Sequence, residues 1–178
     1  MDLMLIKKCI AGDRASQLAL YNLLSPTMLI VCLRYANDRQ EAEDILQEGF
    51  IKIFAALHQY KNMGSFEGWV RKIMVNTALQ RIRKKATLRP IYSLETVEES
   101  LFLNNTAITN LSAKELLYLV QRLPTAYRMV FNLYVFEGYK HKEIAQLLSI
   151  TEGTSKSNLS DARNILQKLI TSQLKIAK

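Results

Sequence analysis

Residues 142–154 read Lys-Glu-Ile-Ala-Gln-Leu-Leu-Ser-Ile-Thr-Glu-Gly-Thr, and the fold is read outward from them. Over 142–148 the apolar residues Ile144, Ala145, Leu147 and Leu148 recur at helical spacing and make one face apolar. Residues 149–153 are turn formers around Ile150, an apolar plug for the angle between two helices. From about Thr154 a second helix buries Leu159, Ala162, Leu166, Leu169 and Ile170, and turns Thr154, Ser157, Asn158, Ser160, Asp161 and Asn164 the other way. This is the layout of a helix-turn-helix whose second helix enters the major groove, with Lys156 and Arg163 at its borders for phosphate contacts. Plain helical hairpins share the pattern, so this stretch alone leaves both readings open.

The rest of the chain extends the helical reading. Of 178 residues, 49% are hydrophobic, while only six are glycine and three proline, so apolar side chains suffice for compact cores and helix breakers are rare. We read the chain as all-α: two small helical domains, residues 1–88 and 112–178, joined by an irregular linker over 89–111. Charge follows the same division. Residues 1–88 hold thirteen Lys/Arg against eight Asp/Glu, and residues 112–178 hold ten against five. The linker has one arginine against Glu95, Glu98 and Glu99, so it is an acidic connector between two basic blocks. Ser112-Ala-Lys-Glu115 fits a capping box that opens the second block. Cys9 and Cys32 lie far apart with no metal-ligand spacing and are expected as core thiols, and His58 and His141 are isolated. No run of eighteen uncharged apolar residues is present, and two lysines break the apolar N-terminus. Neither a membrane span nor a signal peptide is expected, and the expected compartment is the cytoplasm.

Within the first block, Asp38-Arg-Gln-Glu41 begins a helix whose stripe Leu46, Phe50, Ile53, Phe54 and Leu57 faces the core. Its opposite side carries Glu41, Asp44 and Glu48 with Gln47 and Ile51. That makes an acidic face with an apolar edge in a basic block, either merely solvated or a dock for a basic partner helix. Ser65 caps a further helix running to about Lys85. From Arg71 to Arg89 that segment has Arg71, Lys72, Arg81, Arg83, Lys84, Lys85 and Arg89 with no acid, interleaved with Asn76, Thr77 and Gln80. Cationic side chains neutralise phosphates while amides and hydroxyls can meet base edges, so nucleic acid is the natural ligand. A membrane surface competes for the charge, but the helix lacks a broad exposed apolar face. Phe54, His58, Tyr60, Met63, Phe66 and Trp69 bracket the loop at 60–65, and exposed rings or a pocket there suit unstacked bases; Phe54, Phe66 and Trp69 fit a core role equally.

Several stretches together resemble the extracytoplasmic-function, or group-four, sigma factors of bacterial RNA polymerase. Residues 41–53 (EAEDILQEGFIKI) are similar to the family's core-binding helix, and residues 65–76 (SFEGWVRKIMVN) to its promoter-melting and minus-10 segment. Residues 123–131 (LPTAYRMVF), 137–145 (EGYKHKEIA), 152–157 (EGTSKS) and Ala162-Arg163 resemble the minus-35-binding domain in order and spacing. The resemblance implies that Asp44, Gln47, Glu48 and Ile51 dock on the polymerase's largest-subunit clamp helices, with the flap as a further contact. It implies minus-10 contacts by Asn62, Met63, Trp69, Arg71, Lys72, Asn76, Thr77, Gln80, Arg81, Arg83 and Lys84, with Asn62 and Met63 near a flipped base. It implies minus-35 contacts by Thr154, Ser155, Lys156, Ser157, Asn158, Ser160, Asp161 and Arg163. The linker would thread toward the active-site and RNA-exit channel, although it has no Asp-rich tract. Core polymerase, promoter DNA and an anti-sigma factor are the implied partners, with no cofactor, no metal and no small-molecule substrate.

Two residues depart from the family pattern. Many relatives carry a basic residue where this chain has Asp161, and valine where it has Ser155. Asp161 would repel phosphate unless it accepts from a cytosine amine, pairs internally or points away from DNA. A conventional helix-turn-helix regulator would account for the second block but not for the acidic helix, aromatic loop and basic helix of the first. An enzyme would need a glycine-rich phosphate loop, carboxylates paired with a histidine, or a G-x-S-x-G elbow, and none is present. The acids of the first block lack the Glu-x-x-His of a bundle metal site.

Overall fold

A computed structural model of the chain describes residues 3–88 and 113–176. Among the described residues the secondary structure is helical throughout, and they fall into two compact units. The expected linker and the Ser112 cap lie outside the described residues.

Unit 1 contains α1 (Leu3–Ile10), α2 (Arg14–Tyr35), α3 (Arg39–Ala56) and α4 (Phe66–Leu88). Gly12 turns the chain between α1 and α2 at a φ of 84°, open to glycine without strain. Asp13 then caps α2 by accepting from the Ser16 amide at 2.9 Å. The hydrogen bonds from Ser16 hold the Asp13 carboxyl below its usual range. α2 packs against α1, α3 and α4, burying Leu20, Leu24, Met28, Val31, Cys32 and Tyr35. Pro26 sits on its exposed side, where a carbonyl freed one turn back can bond to water. By length and composition this 22-residue helix is apolar enough to cross a membrane. It passes on mean hydropathy because its leucines, Met28, Ile30 and Val31 outweigh Gln17 and Asn22, although it holds no uninterrupted apolar run of that length. In the folded unit Leu20, Leu24, Met28, Val31 and Tyr35 face the core, while Leu18, Leu23 and Ile30 of the same helix are exposed.

α3 begins as read. Asp38 accepts from the Glu41 amide at 2.7 Å while the Glu41 carboxylate accepts from the Asn37 amide at 2.9 Å. Glu41 is therefore buried in the helix start and leaves the acidic face to its neighbours. Leu46, Phe50, Ile53 and Leu57 are buried, and Phe54 is half-buried. The axes of α3 and α4 come close at Gly49, where any Cβ would overlap the Met74 sulfur. Ser65 caps α4 through the Gly68 amide at 3.3 Å, and the helix runs three residues beyond the expected end. Cys9 and Cys32 are buried free thiols, and burial pushes Cys32 up to about 12.

Unit 2 contains α5 (Ala113–Gln121), α6 (Thr125–Phe131), α7 (His141–Leu148) and α8 (Glu152–Ile176), with α6 continuing into a π-helical turn at Asn132–Phe136. Leu119, Leu123, Met129, Val130, Leu133, Ile144, Leu159 and Ala162 make its core. α7 and α8 are the expected helix-turn-helix, but the turn is shorter than read. Ser149 takes a left-handed φ of 55°, and the Thr151 hydroxyl accepts from the Thr154 amide at 3.0 Å, so α8 begins at Glu152. Glu152 and Gly153 belong to its first turn because the threonine hydroxyl caps ahead of them.

Candidate functional site

The acidic face lies on α3 and the basic stretch on α4, and the two helices pack directly on one another. Ile51 is 70% exposed and Gln47 is exposed beside it, so the apolar edge is open to a partner. Asp44 and Glu48 are half-buried and already paired. Arg81 reaches across from α4, its Nη2 donating to Asp44 Oδ2 at 2.6 Å and its Nη1 lying 3.9 Å from Glu48 Oε2. Lys52 sits 2.7 Å from Glu48 Oε1 and donates to Gln80 Oε1 at 2.9 Å. The structure thus joins residues that the sequence reading had placed in two separate sites. Lys52 was missed, although its position four residues after Glu48 is the spacing at which helical ion pairs form. Tyr21, Pro26 and Leu29 of α2, with Glu43 and Gln47 of α3, line a shallow cleft beside this face.

At the other end of α4 the loop before it is held in a set shape. Tyr60 donates to the Gly64 carbonyl at 2.8 Å, and its ring packs edge-on against Phe66 at 5.0 Å and tilted on Trp69 at 5.6 Å. Asn62 and Gly64 both have positive φ, 56° and 95°, which raises Met63 on the loop tip at 84% exposure. Phe66 is core and Trp69 half-buried against it. Along the helix Lys72, Gln80, Arg83 and Lys84 are exposed and Arg71 and Asn76 half-buried. Thr77 corrects the reading: it is 1% exposed, facing the core, and cannot reach DNA. Its neighbours Val75, Ala78 and Leu79 are buried too, since α4 is covered by both α2 and α3.

In unit 2, Thr154, Lys156, Ser157, Ser160 and Arg163 are exposed on the first turns of α8, with Asn158 and Asp161 half-buried beside them. Lys156 pairs with Glu152 at 2.8 Å, and that hydrogen bond and charge hold the Glu152 carboxyl below its usual range. Ser155 is the second correction, being fully buried with its hydroxyl 2.9 Å from His141 Nδ1. The Tyr134 ring stacks on His141 at 4.7 Å, and the Arg163 guanidinium lies 5.8 Å from the Tyr134 ring. His141 therefore satisfies a polar residue at an interior position, a role that no sequence signal marked. Among the described residues no group of three or more His, Cys, Asp and Glu is placed to hold a metal.

Two family profiles match the chain. Sigma-70 region 2 spans residues 20–87, and sigma-70 region 4 spans residues 113–166. The chain belongs to the sigma-70 family. Region 2 covers the paired α3 and α4 of unit 1, and region 4 covers the helix-turn-helix through most of α8. Curated relatives place this sigma factor in the extracytoplasmic-function group. It is 26% identical to the RNA polymerase sigma-H factor of Pseudomonas aeruginosa, over 99% of this chain and 97% of that protein. It is 25% identical to the ECF RNA polymerase sigma factor SigW of Bacillus subtilis, over 92% and 93%. Among solved structures, the sigma factor RpoE of Bartonella quintana, in complex with the anti-sigma factor NepR, shares the fold. Its TM-score is 0.55 at 20% identity, covering 86% of this chain and 95% of that one. CnrH in complex with the cytosolic domain of CnrY aligns at a TM-score of 0.50 and 17% identity, over 95% and 96%.

Proposed function

We propose that this sigma factor directs core RNA polymerase to specific promoters and assists DNA opening, acting by binding and without covalent chemistry of its own. One observation carries the proposal: an acidic, apolar-edged helix packs on a helix that is basic and without acids from Arg71 onward in region 2, and a helix-turn-helix follows in region 4. A basic partner helix fits the first, opened anionic DNA the second, and a duplex major groove the third. Residues 1–88 would hold core polymerase and the minus-10 element, 89–111 would serve as the linker, and 112–178 would read the minus-35 element. Asp44, Gln47, Glu48 and Ile51 form the polymerase dock. Asn62, Met63, Trp69, Arg71, Lys72, Asn76, Arg83 and Lys84 serve the minus-10 element; Thr154, Lys156, Ser157, Asn158, Ser160, Asp161 and Arg163 serve the minus-35 element. An anti-sigma factor is the further partner in this reading, as NepR is of the structural neighbour RpoE, and the cytoplasm is its place of action.

The test is transcription from a genomic fragment library by purified core polymerase with and without this protein, with transcript starts sequenced. New starts preceded by two shared elements are expected. No new start, together with discrete duplex binding by the protein alone, would replace the proposal with a conventional helix-turn-helix regulator.

A further inference from the structure

We infer that Arg81 is an internal counter-ion of the α3 docking face in the free protein, and that a basic partner which takes those carboxylates releases Arg81 to hold DNA phosphate. The identities of the partner and of the DNA rest on the function proposed above, but the exchange itself rests on geometry. Asp44 and Glu48 stand one turn apart on α3, and Gln80 and Arg81 are adjacent on α4. Arg81 spans both carboxylates, at 2.6 and 3.9 Å, while Lys52 ties Glu48 to Gln80 at 2.7 and 2.9 Å. Two anions and two cations cancel, so the free dock carries little net field and the basic helix lacks one cation and one amide.

The arrangement is built for exchange. The side chains of these pairs are between 29% and 47% exposed, and ion pairs at such exposure are weak and readily replaced. A partner presenting arginines or lysines would compete for Asp44 and Glu48. The guanidinium left behind lies one turn before Lys84 on a helix segment without acids, where phosphate is the replacement anion and accepts bidentate bonds. Binding free energies are reciprocal, so polymerase docking strengthens DNA binding and DNA binding strengthens docking by the same factor.

The experiment measures binding of the full chain to a labelled single-stranded oligonucleotide across a salt series. The Asp44→Asn, Glu48→Gln double variant frees Arg81 without a partner. A Glu43→Gln, Glu67→Gln variant gains the same charge and leaves Arg81 paired. The first should bind several-fold tighter than the second, with a salt slope steeper by about 0.7, the value of one added phosphate contact on a single strand. Adding Arg81→Gln to the Asp44→Asn, Glu48→Gln variant should erase that gain, whereas adding it to the Glu43→Gln, Glu67→Gln variant, where Arg81 stays paired, should lower affinity several-fold less. In the presence of core polymerase, Arg81→Gln should weaken DNA binding by the native chain. Equal gains in both double variants, or equal loss from Arg81→Gln in every background, would overturn the inference. Asp44→Asn alone gives the same reading if helical content shows that the double variant is misfolded. If polymerase confers no DNA binding on any variant, the proposed function fails, while the free-chain comparison still decides the exchange.

Discussion

At the scale of single residues, burial decides what a polar side chain can do. Thr77 lies on the helix that carries the basic residues, yet its hydroxyl is buried and finds no partner among the described residues. An unpaired buried hydroxyl costs free energy, so Thr77→Val is expected to raise stability by up to about 1 kcal/mol and to leave promoter binding unchanged. Thermal melts and a promoter-binding assay check the two halves separately. Asn158 stands on the first turns of α8, where an amide can pair with an adenine edge. Asn158→Ala should relax base preference at one or two minus-35 positions by about 1–3 kcal/mol, measured by competition among promoter variants. Ser155 was legible only as a polar residue in a polar run. Its burial against His141 depends on how α7 crosses α8.

At the scale of elements, caps and stripes were readable because their physics is local. Asp38 with Glu41, Ser65, and the spacing of Leu46, Phe50, Ile53 and Leu57 each concern atoms within a turn or two of one another. The start of α8 was misplaced by two residues because Glu152 and Gly153 read as turn formers, while the Thr151 hydroxyl was already free to cap. Removing it in Thr151→Ala should cost about 1 kcal/mol and fray the first turn of the recognition helix, seen as faster amide exchange there. The α3–α4 packing was not readable. Gly49 allows it, and Gly49→Ala would press a methyl into Met74, itself fully buried. The expected loss is about 1–3 kcal/mol in chemical denaturation, despite the better helix propensity of alanine.

At the scale of the whole molecule, the two binding faces belong to separate compact units, and their functions should separate under mutation. The Asp44→Asn, Glu48→Gln variant is expected to lose core polymerase binding by tenfold or more. It should keep the weak affinity of the full chain for minus-35 duplex, as pull-down and duplex titration would show. Equal loss of both activities would mean that the faces are not independent. The pairing of Arg81 with the dock was invisible in sequence, because residues 37 positions apart meet only once α3 and α4 are side by side. The apolar richness of α2 bears on synthesis. The ribosome delivers α2 well before residue 88, and the helices that cover it are α3 and α4. At about 5–20 residues per second the nascent chain carries this uncovered segment for roughly 3–10 s, with the length and hydropathy of a membrane span. During those seconds the helix lacks the cover that α3 and α4 give it, and unit 1 can complete its core only once the buried residues of α4, through Leu79, have emerged.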